Sequence, residues 1–561
     1  MALSINKNLT QASIILAALV AAVFLQTGWH DFICFDDSSY IYNNAAIKNG
    51  FSTDSLKWAF STFYQYNWHP LTWLSHLADT TLFGLNPAGH HLHSAALHCA
   101  STILLFLALA RATGEPGKSF VVAALFAIHP LRAESVAWAA ERKDVLSVFF
   151  GFAAIYTYIL FTKNKTLSSY LTAIFLYSAS LMSKPTLVTL PLILLLLDWL
   201  QLNYRQIHHT TFLAMAKEKI PFLILATVSS VITIIAQYKG GAVATLQSVP
   251  ILLRLGNAVI SYWRYIFKTI IPTELSVFYL RDQSLSIPLS IIAGVFLLIT
   301  TFLLLRYSRQ IPALIFGWLW FLLTLLPMSG IVQVGNQAMA DRYSYIPTIG
   351  LLVVLAWSAE QLCNKIDVKP VMRIAGACII IITYSVIGWQ QTALWRNGKS
   401  LFNNALKLNP ENYVVLILMG DQLRENNSFQ EAIPYYRKAL QISPNMHLTH
   451  NNIAICLTQT GNFHEARKHL SLSLMLNPES PDTLFNMGMV LGKLNLHEEA
   501  AASLYRFIQR VPRDAEAHFF LAESIRLAGR LNDAVSHYET ALSIDPTLVK
   551  AAQRLEEISK N

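Results

Sequence analysis

The run His30-Asp31-Phe32-Ile33-Cys34-Phe35-Asp36-Asp37-Ser38-Ser39-Tyr40 places two adjacent carboxylates just beyond an apolar stretch that ends near Trp29. At the water edge of a bilayer such a pair can accept a proton, orient a hydroxyl, or hold a divalent cation. It also suits a solvated loop start or a helix N-cap. Three further runs concentrate charge beside apolar segments. His129-Pro130-Leu131-Arg132-Ala133-Glu134 continues to Glu141-Arg142-Lys143-Asp144, Lys184 stands alone between Ser183 and Pro185, and Asp341-Arg342-Tyr343-Ser344-Tyr345 follows Ala340. Arginine makes bidentate bonds to phosphate oxygens, so basic groups facing a membrane pocket suit a lipid-linked phosphate. The same charges can instead pair with each other and stitch loops together.

The elements that must position these residues are apolar. The 561-residue chain is 54% hydrophobic and 13% charged, with mean hydropathy +0.41. That composition excludes a wholly soluble protein. About eleven crossings are predicted, at 11–28, 93–110, 119–132, 145–162, 168–183, 186–201, 219–236, 287–305, 311–328, 345–362 and 371–390. Lys and Arg gather in the short loops on one side, as the positive-inside rule predicts, so the net charge of +9 does not indicate nucleic acid. An odd number of crossings puts the Asp36 loop and the C-terminal region on the same, outer face. The stretch 251–271 carries Arg254, Arg264 and Lys268 and reads as an interfacial amphipathic helix. The five cysteines show no CxxC spacing, which supports neither a zinc site nor a disulfide framework. Histidines 69, 76, 90, 91, 93, 98 and 129 lack the spacing of a metal motif, and interfacial hydrogen bonding is the expected role, with no metal site.

Near residue 392 the composition changes, dividing the chain into a membrane domain, 1–392, and a soluble domain, 393–561. Proline recurs at 410, 444, 478, 512 and 546, the 34-residue tetratricopeptide period. Small residues follow in register at Gly420, Ala454, Gly488 and Ala522, then at Ala432, Ala466, Ala500 and Ala534. The fold class is therefore all-α: a polytopic helical membrane domain followed by an α-solenoid whose groove can bind a peptide or protein, or act as a spacer or dimerisation module.

The motifs FDDSSYIYNN, HPLTWLSHLADTTLFGLNPAGHHLHSAALH, FAIHPLRAESVAWAAERKDVLS, MSKPTLVTLP and MADRYSYIPTIG together resemble the transmembrane and tetratricopeptide-repeat family of O-mannosyltransferases, in a bacterial-type form. The resemblance implies a GT-C glycosyltransferase that moves a sugar from a polyprenyl-phosphate carrier to a protein hydroxyl at the outer, periplasmic face of an inner membrane. It matches Asp36 to the catalytic acid, Asp37 to its neighbour, and His129, Arg142, Asp144 and Arg342 to positions near the donor. Arg132, Glu134, Lys184, Asp341 and Tyr345 complete the expected site. Inverting transfer with Asp36 as base needs no cofactor, whereas a pyrophosphate donor would favour a divalent cation on Asp36 and Asp37. The acceptor protein would dock in the repeat groove. A lipid or polysaccharide acceptor, or a non-catalytic repeat scaffold, are the alternative readings.

Overall fold

The computed structural model describes residues 2–205, 212–240, 249–281, 284, 286–333 and 335–559. The chain forms two compact units, Met1–Leu408 and Asn409–Asn561. Each of the eleven predicted crossings overlaps a helix of the first unit. In chain order, with α2 and amphipathic α9 added, these are α1 (Ala2–Phe24), α2 (Pro70–Phe83), α3 (Pro87–Thr113), α4 (Pro116–Ile128), α5 (Arg142–Asn164), α6 (Leu167–Ser183), α7 (Leu190–Arg205), α8 (Ile220–Lys239), α9 (Ile251–Ile270), α10 (Ile287–Tyr307), α11 (Pro312–Leu325), α12 (Pro347–Lys365) and α13 (Pro370–Leu394). Proline opens α2, α3, α4, α11, α12 and α13, where its fixed φ and missing N–H are tolerated. Among the described residues, six helices are long and apolar enough to cross a bilayer, or seven if one bent pair counts as a span. Shorter apolar helices account for Leu167–Ser183, Leu190–Tyr204 and Pro312–Met328. The protein is an integral membrane protein, all-helical apart from one described two-stranded ribbon, Tyr279–Leu280 with Gln337–Met339.

The expected crossing 119–132 is corrected by the structure. α4 stops at Ile128, and the chain bends by 56° into Pro130–Ala137, because Pro130 cannot continue the helix and His129 is extended, with ψ 133°. The bend turns Arg132 and Glu134 into the protein. α9 buries its polar residues Arg254, Asn257 and Ser261 and exposes Leu252, Leu255 and Phe267. That inversion of a soluble helix suits a surface wetted by lipid.

α11 and α12 approach through glycine. A Cβ on Gly350 would lie 2.1 Å from the Gly317 carbonyl oxygen and 2.8 Å from the Phe321 nitrogen, so the two backbones touch as small residues allow in membranes. Trp320 Nε1 donates to Ile346 O at 3.1 Å just before α12. Gly350→Val is expected to destabilise the unit by about 1–3 kcal/mol, as overpacking does. Gly376→Val, whose Cβ meets nothing within 4 Å, is the matched control, and thermal unfolding in detergent compares them.

The second unit stacks four helix pairs, beginning with Tyr413–Glu425 and Phe429–Ile442 and ending with Ala515–Leu527 and Leu531–Ile544, and closes with Val549–Ser559. Every small residue predicted at a helix crossing is buried. The helix Gly398–Leu408 belongs to the first unit, where Asn404 Nδ2 donates to Leu275 O at 3.2 Å.

Candidate active site

After α1 a 3-10 helix, Leu25–Trp29, leads to an extended His30, and the chain turns at Cys34–Asp36 into a π-type turn, Ser38–Tyr42. The two aspartates of that turn face different environments. Asp37 is fully buried, accepting from the Ile33 amide at 2.8 Å through Oδ2 and from the Ala140 amide at 2.7 Å through Oδ1. It closes its own turn and ties it to Ala139–Glu141. Burial raises its pKa to about 7, against the lowering effect of those two amides. Asp36 is half-buried, and its carboxylate accepts no hydrogen bond among the described residues. Burial raises its pKa, and Lys143 opposes the shift most strongly. A carboxylate that is partly desolvated, unbonded and beside cations can take up a proton.

Those cations form a lattice. Lys143 Nζ lies 3.2 Å from Glu141 Oε1 and 4.3 Å from the centre of the Tyr40 ring. Lys184 Nζ bridges Glu141 Oε2 at 2.9 Å and Asp144 Oδ1 at 2.7 Å. The Arg342 guanidinium pairs with Glu134 and lies 3.4 Å from Glu141 Oε1, while its backbone N–H donates to Glu134 Oε2 at 2.9 Å. It lies over the rings of Trp138 and Tyr343, at 5.5 and 5.0 Å. A narrow cleft opens beside this lattice, lined by Asp144, Lys184, Thr186, Arg342, Tyr343 and Tyr345 among others. Lys184 and Arg342 line that cleft, so an incoming anion meets positive groups held in place without new ordering.

The structure brings together Asp36, Glu134, Asp144, Lys184 and Arg342 and adds Glu141 and Lys143. It takes other expected donor-binding groups elsewhere. Arg142 is fully buried, and its N–H groups go to Asp79 Oδ2 at 2.7 Å, Ser94 Oγ at 2.9 Å, Ser75 Oγ at 2.8 Å and the His90 carbonyl. His129 caps the Pro130 turn, its Nδ1 accepting from Leu131 N at 3.2 Å and its Nε2 meeting Thr269 O at 2.9 Å. Arg132 donates to Ser344 O, Tyr345 O and Thr348 Oγ1, a structural clamp on the start of α12. Tyr345 lines the cleft, but its hydroxyl meets His98 Nδ1 at 2.6 Å. Asp341 accepts from Tyr279 OH at 2.9 Å, and burial, aided by Glu134, pushes its pKa up to about 8. Glu141 and Lys143 stand in the same charged run as Arg142, so that run was their sequence signal.

A helical membrane unit with an acid and ordered cations at one end, followed by a helical-repeat unit, defines a membrane-anchored repeat protein with a candidate group-transfer site. Models of the tetratricopeptide repeat match residues 393–447, 423–483 and 485–548. Protein O-mannosyl-transferase TMTC3 of Mus musculus is 22% identical over 95% of this chain and 60% of its own length. The Homo sapiens protein of the same name is 23% identical over 97% of this chain and 62% of its own, and Homo sapiens protein O-mannosyl-transferase TMTC1 is 23% identical over 76% and 54%. Over most of its length the chain is similar to these relatives, and its C-terminal part matches the tetratricopeptide repeat. It spans about three fifths of the length of the TMTC3 relatives. Among solved structures, YrrB, titled a TPR protein with an unusual peptide-binding site, is 23% identical over 28% of this chain and 81% of its own, with TM-score 0.27.

Proposed function

We propose that the protein is a GT-C glycosyltransferase that transfers a sugar, mannose by kinship with its relatives, from a polyprenyl-phosphate carrier to a protein hydroxyl. The observation that carries this reading is the Asp36 carboxylate, which accepts no hydrogen bond among the described residues and lies in the electrostatic reach of Lys143, Lys184 and Arg342. The relatives named as protein O-mannosyl-transferases support it. Asp36 takes the proton of the acceptor hydroxyl as that oxygen attacks the anomeric carbon. The carbon–oxygen bond to phosphate breaks, the polyprenyl phosphate leaves with the electron pair, and the anomeric configuration inverts. Arg342 and Lys184 face the departing charge. One phosphate can be compensated by these cations, so no divalent cofactor is assigned to the step. Asp37 holds the loop, and Lys143 lowers the pKa of Asp36.

In this reading the Asp36 loop and the repeats share the outer face of the membrane, periplasmic in a bacterium, and the repeats dock the acceptor protein. Truncation after Leu408 should then leave binding of a polyprenyl-phosphate sugar intact while transfer to protein falls at least about tenfold, as when docking energy is lost from the acceptor. Equal transfer by the truncated and full chains, measured with the same protein acceptor, would make the repeats a spacer. Labelled sugar on lipid or polysaccharide in place of protein would select the alternative acceptor class.

A further inference from the structure

The helical hairpin of α2 and α3, behind the Asp36 loop, contains a group that the transfer reaction does not use. His76 and Asp79 lie one turn apart on α2, and His90 and His93 one turn apart on α3, giving H-x2-D-x10-H-x2-H across the Gly84–Asn86 connection. His76, Asp79 and His90 are all fully buried, and one donor atom from each lies within 4.8 Å of the others. Among the described residues His76 has no hydrogen-bond partner on either ring nitrogen. A buried imidazole offers one donor and one acceptor, and leaving both unmet is rare in a folded protein.

We propose that His76, Asp79 and His90 bind a zinc ion that fastens the hairpin and, through Arg142, the adjoining active-site turn. Each residue presents the chemistry a zinc ligand needs. His90 Nε2 lies 3.1 Å from the Gly84 carbonyl; donating there leaves Nδ1, which has no hydrogen-bond partner, with its lone pair 3.5 Å from Asp79 Oδ2. A backbone carbonyl on the far nitrogen is the usual support of a zinc-bound histidine. Burial, then Arg142, keeps His76 neutral, the form that coordinates metal. Asp79 Oδ1 is held by His93 Nδ1 at 2.5 Å, and Oδ2 by Arg142 at 2.7 Å; each carboxylate oxygen retains a second lone pair. Two imidazole nitrogens and one carboxylate oxygen suit zinc, with water completing a tetrahedron, better than an all-oxygen cation such as magnesium. Zinc–nitrogen bonds of about 2.0–2.1 Å require the donors to close by roughly an ångström from their widest spacing, a small rotation of two histidine rings. Arg142 opposes the added charge but also bonds Ser75, Ser94 and the His90 carbonyl. Fixing the hairpin therefore fixes the residue between Glu141 and Lys143.

Elemental analysis of the purified full chain in detergent, after zinc reconstitution and gel filtration, tests the site. The wild type is expected to retain about one zinc that His76→Gln and His90→Gln each reduce at least fivefold. His450→Gln and His518→Gln should leave that zinc in place. They disrupt the repeat-domain pairs His450–His469 and His518–His537, whose Nδ1 atoms stand 3.0 and 3.3 Å apart. X-ray absorption on the wild type, which does not depend on a variant folding, should show two imidazoles in a shell near about 2.0–2.1 Å. Wild type without zinc, a spectrum lacking imidazole, or zinc undiminished in both His76→Gln and His90→Gln would overturn the proposal.

Discussion

Asp36→Asn is expected to lower sugar transfer by roughly 10²-fold or more while leaving the affinity for a polyprenyl-phosphate sugar nearly unchanged. The asparagine keeps the shape of the side chain and removes only the basic site. Because no described group hydrogen-bonds the Asp36 carboxylate, no ladder of contacts collapses with its charge, and the loss should be in turnover rather than folding. Asp37→Asn should behave differently. It replaces one acceptor oxygen by an amide that faces either the Ile33 or the Ala140 N–H, so stability falls together with rate. The pH profile adds a sign. Asp36 acts as base only when ionised, and burial raises its pKa, so the rate should fall on acidification at a pH above the usual carboxylate range. Lys143 opposes that rise; Lys143→Met should move the acid limb still higher. A near-normal rate for Asp36→Asn, or a limb unmoved in Lys143→Met, would remove Asp36 from the base role.

Arg342→Ala is expected to weaken donor binding and transfer together, each by roughly 10²-fold, because a charge that meets phosphate acts in both the bound and transition states. The same change strands the buried Glu134, which pairs with Arg342, and an uncompensated buried charge costs about 3–5 kcal/mol. The two effects separate in the double variant Glu134→Gln with Arg342→Gln, which removes one charge of each sign. Its thermal stability should return toward wild type while donor binding stays weak. Recovery of donor binding along with stability would show that Arg342 only holds the fold.

Much of this architecture was legible in the residues. Apolar runs closed by proline and glycine located the helices, and the 34-residue proline period with its small residues fixed the repeats. Side-chain direction was less accessible. Arg142 and Lys143 are neighbours, yet one turns into the α2–α3 hairpin and the other toward Tyr40 and Glu141. A 3-10 turn at Ala139–Glu141 immediately precedes α5, so its rotational phase cannot be counted from the sequence. Pro130 posed the same problem: read as the end of a straight crossing, the segment hides the bend that carries Glu134 to Arg342 and Arg132 to the start of α12. The α2–α3 histidines lacked a recognisable metal motif because their acid, Asp79, sits one turn before a loop rather than inside a compact signature. Only the hairpin brings it to His90.

The most direct measurement is a single-turnover assay with purified full-length protein, polyprenyl-phosphate mannose labelled in the sugar, and a hydroxyl-bearing protein acceptor. Wild type should move the label onto acceptor hydroxyls with inverted anomeric configuration, and Asp36→Asn should leave it on the lipid despite normal donor binding. Transfer with retained configuration, or equal transfer by Asp36→Asn, would contradict a single displacement driven by the Asp36 base.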